Sequence, residues 1–240
     1  MELEPNRPVR DFVLAIPGAS SVFEKSGIDY CCGGQRSLAD ACKTAGVAVE
    51  KIMTSLETAI SSGEVPDHDF LAMTLTELIN HIVGKHHVFT RDEIDRLRAL
   101  MEKVLNAHGK NHRELEQLSS VLHRLSQELL QHMMKEERVL FPYVTGMEEA
   151  VKNNLPVTRP PFASVINPVR MLMFEHDKAG DLLREMRRLT SNYVTPADAC
   201  ISYQTLYQAL DAFEKDLHQH IHLENNILFP RAVEMENDSK

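Results

Sequence analysis

Two copies of one phrase stand 88 residues apart in this chain. The first is His132-Met133-Met134-Lys135-Glu136, continuing through Val139-Leu140-Phe141-Pro142. The second is His220-Ile221-His222-Leu223-Glu224, continuing through Ile227-Leu228-Phe229-Pro230. On an α-helix a residue and its fourth successor share one face, so each copy aligns an imidazole with a carboxylate near a helix end. Pro142 and Pro230 are expected to discourage further helix.

If the repeat reflects an internal two-fold design, each motif needs a partner histidine. His87 precedes His132 by 45 positions and His176 precedes His220 by 44. The halves then align as His87 with His132 and Glu136, and His176 with His220 and Glu224. This spacing predicts four imidazoles and two carboxylates pointing inward at one level of a helical bundle. Burying two carboxylates without a cation is too costly, so the six read as a dinuclear metal site with bridging carboxylates. Mixed nitrogen and oxygen donors suit iron, manganese or zinc, and His-rich ligation poor in sulfur favours non-haem iron. His86 rivals His87, but adjacent helical residues point about 100° apart, so one of them is expected to enter the core. His218 and His222 fall on other faces and are assigned solvent or outer-shell contacts. His81, His108, His112 and His123 are assigned to surface or packing.

The elements that must position these groups are helices. The chain has 240 residues, 43% of them hydrophobic, with 10 Gly and no Trp. A formal charge of -9 argues against nucleic acid and against anionic membrane surfaces. No apolar run approaches the roughly 20 residues that span a bilayer. Four cysteines do not read as a disulfide framework, and cytoplasmic residence with reduced thiols is the default.

Residues 1–63 read as a small helical unit. A short helix runs from Ala19 to Ser26, and Ser37 with Asp40 opens another of capping-box type that stops at Gly46. A third helix runs from about Val47 to Ser62. About 60 residues make a marginal core, so this unit is expected to lean on the rest or to pair as a homodimer. A polar linker at 64–71 leads to a main domain at 72–240. Its helices are expected from Thr74 to about Asn106 and from Arg113 to Tyr143. The third opens at Asn167-Pro168, and the fourth runs from Thr195-Pro196 to Phe229-Pro230. No stretch alternates as a strand does, and the fold class is all-α, with the four long helices forming an antiparallel bundle.

Between the small unit's helices lies Asp29-Tyr30-Cys31-Cys32-Gly33-Gly34. The glycines would let the backbone turn tightly and leave the thiols approachable, with soft sulfur suited to passing iron or to thiol exchange. Cys42 and Cys200 are assigned to packing inside helices. The neighbours Glu137, Asn225 and Asn226 are assigned to polar outer faces.

At these residues the bundle resembles a hemerythrin-like domain. With the Asp29–Gly34 loop, the chain resembles the iron–sulfur cluster repair (RIC) family along nearly its whole length. The resemblance implies a cytoplasmic protein, active against damage by nitric oxide or oxidants, whose partners are proteins with damaged iron–sulfur clusters. It implies two non-haem iron ions with an oxo or hydroxo bridge, acting by iron donation, by NO reduction or by both. The implied ligands are the six already selected: His87, His132, Glu136, His176, His220 and Glu224. It also implies that Glu128 and Glu175 line an access path or add bridging carboxylate, and that Cys31 and Cys32 act as iron-relay or redox thiols. Thr90 stands where the family carries a histidine. The alternative is a hemerythrin-like sensor or carrier of oxygen or NO, against which the double-cysteine unit counts, since storing a diatomic needs no thiols.

Overall fold

The computed structural model describes residues 3–62 and 69–239, so most of the expected linker, 64–68, lies outside the described residues. Among the described residues every regular element is helical. Contacts divide the chain into two units, Met1–Thr74 with His218–Arg231, and Leu75–Leu217 with Ala232–Lys240.

The first unit holds α1 (Val9–Ala15), α2 (Ala19–Lys25), α3 (Leu38–Ala45) and α4 (Val49–Ser61). The sequence reading missed α1, whose two turns are too few to display a helical period. Helix α3 starts as expected. The Ser37 hydroxyl accepts from Asp40 N–H at 3.1 Å and donates to Asp40 Oδ2 at 2.7 Å, and Gly46 ends the helix with φ of 68°. Phe12, Phe23, Leu38, Ile52 and Leu56 form its apolar centre. The cysteine loop is pinned by backbone bonds from Arg10 N to Gly34 O (2.9 Å) and from Val9 N to Arg36 O (2.9 Å).

The second unit is an antiparallel bundle. Its first rod comprises α5 (Leu75–His81), a π-turn at Ile82–His87 and α6 (Val88–His108). The second comprises α7 (Glu114–Lys135), a π-turn at Glu136–Leu140 and α8 (Phe141–Lys152). The third is α9 (Ile166–Leu189) and the fourth α10 (Ile201–Leu223), which continues through a π-turn at Glu224–Leu228 into α11 (Phe229–Asp238). The stretch His218–Arg231, which holds the end of α10, its π-turn and the start of α11, belongs to the first unit. Leucines spaced for one helical face (Leu118, Leu122, Leu125, Leu129) are buried along α7, as the period demands.

Three expectations are corrected. Pro142 and Pro230 do not stop their helices. In both places the preceding phenylalanine N–H bonds five residues back, to Glu136 O and Glu224 O, and the proline enters the first turn of the helical segment that follows, where its missing N–H costs little. The fourth rod begins at Ile201 rather than Thr195. Ser191, Asn192 and Tyr193 are left-handed, and a turn bonds Ala199 N to Pro196 O at 3.1 Å before the helix opens. Cys200 therefore lies exposed ahead of α10 instead of packing inside a helix, whereas Cys42 is buried in α3 as expected.

Gly34 is required by close approach, since a Cβ there would meet Tyr30 O at 2.7 Å and Arg10 Cβ at 3.1 Å. We expect Gly34→Ala to cost roughly 1–3 kcal/mol by urea unfolding. At Gly84 a Cβ would meet nothing within 4 Å, so Gly84→Ala should be neutral or stabilising by up to about 1 kcal/mol.

Candidate metal centre

Inside the bundle four of the expected ligands converge. The carboxylate of Glu136, fully buried, straddles two imidazoles: Oε2 lies 3.5 Å from His87 Nε2 and Oε1 lies 3.3 Å from His132 Nε2. His176 Nε2 stands 2.9 Å from His132 Nε2. His132, Glu136 and His176 each offer a ligand atom within 4.8 Å of the others.

These positions suit a metal. Two nitrogens bonded at about 2.1 Å and at right angles to one first-row ion lie about 3 Å apart, and the His132–His176 spacing is of that size. Nitrogen and carboxylate oxygen donors match iron, manganese or zinc.

Carboxylates outside this cluster fix the rings. His132 Nδ1 bonds Glu175 Oε2 at 3.0 Å, and Glu175 also pairs with Lys135. His87 Nδ1 bonds Glu137 Oε1 at 2.7 Å, with Arg91 Nη2 on the same oxygen at 2.7 Å. A carboxylate on Nδ1 sets the tautomer and turns Nε2 inward. The bond to His132, with help from Lys135, holds the Glu175 carboxyl at about 2. Burial pushes Glu137 upward, but Arg91 and His87 more than offset it and leave that carboxyl below its ordinary value.

Glu137 was expected on an outer face and instead holds the His87 ring. Its place beside Glu136, in a π-turn that rotates it towards His87, is a signal that periodicity alone misses. His86 is a second correction. Both His86 and His87 are buried, because a bundle helix has two covered flanks: His87 meets Glu136 and His86 Nδ1 meets Asp216 Oδ1 at 3.0 Å. Glu128 and Glu175 line a cleft of about 210 Å³ that reaches His132 and His176.

The second motif has the same local build in the other unit. His220 Nε2 lies 3.0 Å from Glu224 Oε1, both groups are buried, and the π-turn begins at Glu224 as the other begins at Glu136. The cysteine loop sits on this helix. Asn225 Nδ2 donates to Cys31 O at 3.2 Å, and Asn226 Nδ2 donates to Tyr30 O at 3.2 Å and to His222 Nδ1 at 2.9 Å. The edge of Tyr30 meets the His222 ring with centroids 5.6 Å apart. Asn225 and Asn226 are thus buried, contrary to their outer-face assignments, because the loop covers them, and His222 is buried with them rather than in contact with solvent. Burial pushes His222 down to about 4, keeping it neutral.

In the loop, Asp29 Oδ1 accepts from the N–H groups of Cys31 (3.1 Å) and Cys32 (2.9 Å), and the two sulfurs are 3.7 Å apart. Only Cys32 is approachable. Cys31 is buried, and its bond to Cys32 and its desolvation push its thiol up.

Replacing Glu175 or Glu137 by Gln should weaken iron binding about 10–100-fold, read by chelator competition, while the helical signal stays unchanged.

Residues 78–232 match the hemerythrin HHE cation binding domain, and residues 5–60 match a domain of unknown function, DUF542. A probable iron-sulfur cluster repair protein of Haemophilus influenzae is 35% identical, over 93% of this chain and 95% of its own length. Iron-sulfur cluster repair protein YtfE is 34% identical in an Enterobacter species and in Escherichia coli O157:H7, each over 95% of this chain and 97% of its own length. With both domain matches present and the likeness running nearly end to end, the chain belongs to the iron-sulfur cluster repair protein family, with a hemerythrin HHE domain behind its double-cysteine unit.

Proposed function

We propose that this chain repairs iron–sulfur clusters damaged by nitrosative or oxidative stress in the cytoplasm, using two iron ions held by His87, His132, Glu136, His176, His220 and Glu224. We divide the chain into a double-cysteine domain at 1–63, a linker at 64–71 and the di-iron bundle at 72–240. One observation carries the reading: the buried Glu136 carboxylate turns one oxygen to His87 and the other to His132. A carboxylate serving a single ion has no need to straddle two imidazoles. The likeness of the second motif, with its own His–Glu pair and π-turn, supports Glu224 as the second bridge. The relatives' names support the repair function.

Bound iron would supply redox change and a place for nitric oxide or an oxygen species to bind. The side chains supply the rest. Glu175 and Glu137 hold the His132 and His87 rings with Nε2 inward. Glu128 and Glu175 flank the cleft through which a small molecule would enter, and side-chain packing elsewhere keeps bulk water from the carboxylates. A proton on Glu136 Oε1 or Oε2 would remove that oxygen as a donor, and so would favour iron donation. Cys31 and Cys32 then act as relay or redox thiols, with the more exposed Cys32 meeting the client first.

Anaerobic restoration of an NO-damaged cluster protein tests this reading. Iron-loaded wild-type protein should restore the cluster, Glu136→Ala should fail, and Cys31→Ser/Cys32→Ser should fall at least tenfold. Restoration by Glu136→Ala at the wild-type rate would sink the proposal. Unchanged activity of the double cysteine variant would remove the thiols from it.

A further inference from the structure

A second cluster of donors lies at the other end of α7. His112 precedes this 22-residue helix and Glu136 follows it, and the helix between them is about 33 Å long at 1.5 Å per residue. His108 closes α6, His112 lies in the turn after it, and Asp198 comes from the connection before α10. One ligand atom from each lies within 4.8 Å of the other two. His112 Nε2 is 3.1 Å from both oxygens of Asp198, while its Nδ1 is 2.8 Å from Glu114 Oε1. Buried Tyr203 forms the floor, its ring 5.2 Å from that of His108 and 5.4 Å from that of His112.

An ordinary ion pair would explain His112 with Asp198. It does not account for His108, which offers a ligand atom within 4.8 Å of both. Glu114 on Nδ1 is the arrangement that turns Nε2 towards a metal, as Glu137 and Glu175 do in the bundle centre. Two imidazoles and a carboxylate form a three-donor set of nitrogen and oxygen, which with one water suits a tetrahedral divalent ion such as Zn2+ and suits magnesium or calcium poorly. Asp198 is 60% exposed, so an ion has a way in. We propose that His108, His112 and Asp198 form a zinc-class site, held by Glu114, that fastens the α6–α7 turn to the connection ahead of α10. It is independent of the iron centre and of the repair reading.

The test is Zn2+ titration of the iron-loaded full chain carrying Cys31→Ser/Cys32→Ser, against a chromophoric chelator, with iron content followed throughout. One additional equivalent should bind with iron retained, and X-ray absorption should show nitrogen and oxygen neighbours. His108→Ala/His112→Ala should weaken binding by about 100-fold or more, and Glu114→Gln about tenfold. Asp198→Asn, at an exposed position where misfolding is not expected, should also lower affinity. Equal Zn2+ affinity in the His108→Ala/His112→Ala and Asp198→Asn variants would overturn the proposal, as would the absence of saturable binding at about millimolar Zn2+.

Discussion

An ionised carboxylate taken out of water costs several kcal/mol unless positive charge meets it, and Glu136 is fully buried in the middle of a helical bundle. The surrounding structure answers that cost in two directions. From Oε1 a chain of contacts runs through His132 and Glu175 to Lys135. From Oε2 a matching chain runs through His87 and Glu137 to Arg91. Each alternates acidic and basic groups and ends on a half-exposed cation. The imidazoles are thereby held with Nε2 turned inward, which is the preorganisation a metal site requires.

The backbone contributes through its π-turns. All three carry or adjoin expected ligands: His87 closes the first, while Glu136 and Glu224 open the others. One extra residue per turn shifts the side-chain register, so that Glu137 joins Glu136 near the imidazoles instead of facing water. The same widening admits Pro142 and Pro230 without ending the helix. Sequence and geometry agree across the two motifs because the phrase specifies the whole device: His–Glu pair, π-turn and restart at phenylalanine.

The repeat, the four bundle helices and the double-cysteine unit were legible because each rests on local spacing. What escaped depends on contacts far away in sequence. Asn225 and Asn226 read as outer-face residues until the loop at Tyr30 and Cys31 is placed over them. His86 looked like an either-or competitor of His87, although Asp216 on another helix gives it a partner of its own. The start of α10 was misjudged because Thr195-Pro196 has the composition of a helix opening, while three preceding left-handed residues send the chain elsewhere. Glu175 was singled out, but its action on the His132 ring is a matter of geometry that spacing does not encode.

The central claim is that a carboxylate shared between imidazoles implies two ions, and Mössbauer spectroscopy of the iron-loaded protein reads this most directly. The account predicts two iron atoms per chain in a magnetically coupled pair, with both lost together in Glu136→Ala. A single uncoupled iron per chain, or a coupled pair that survives that substitution, would contradict it.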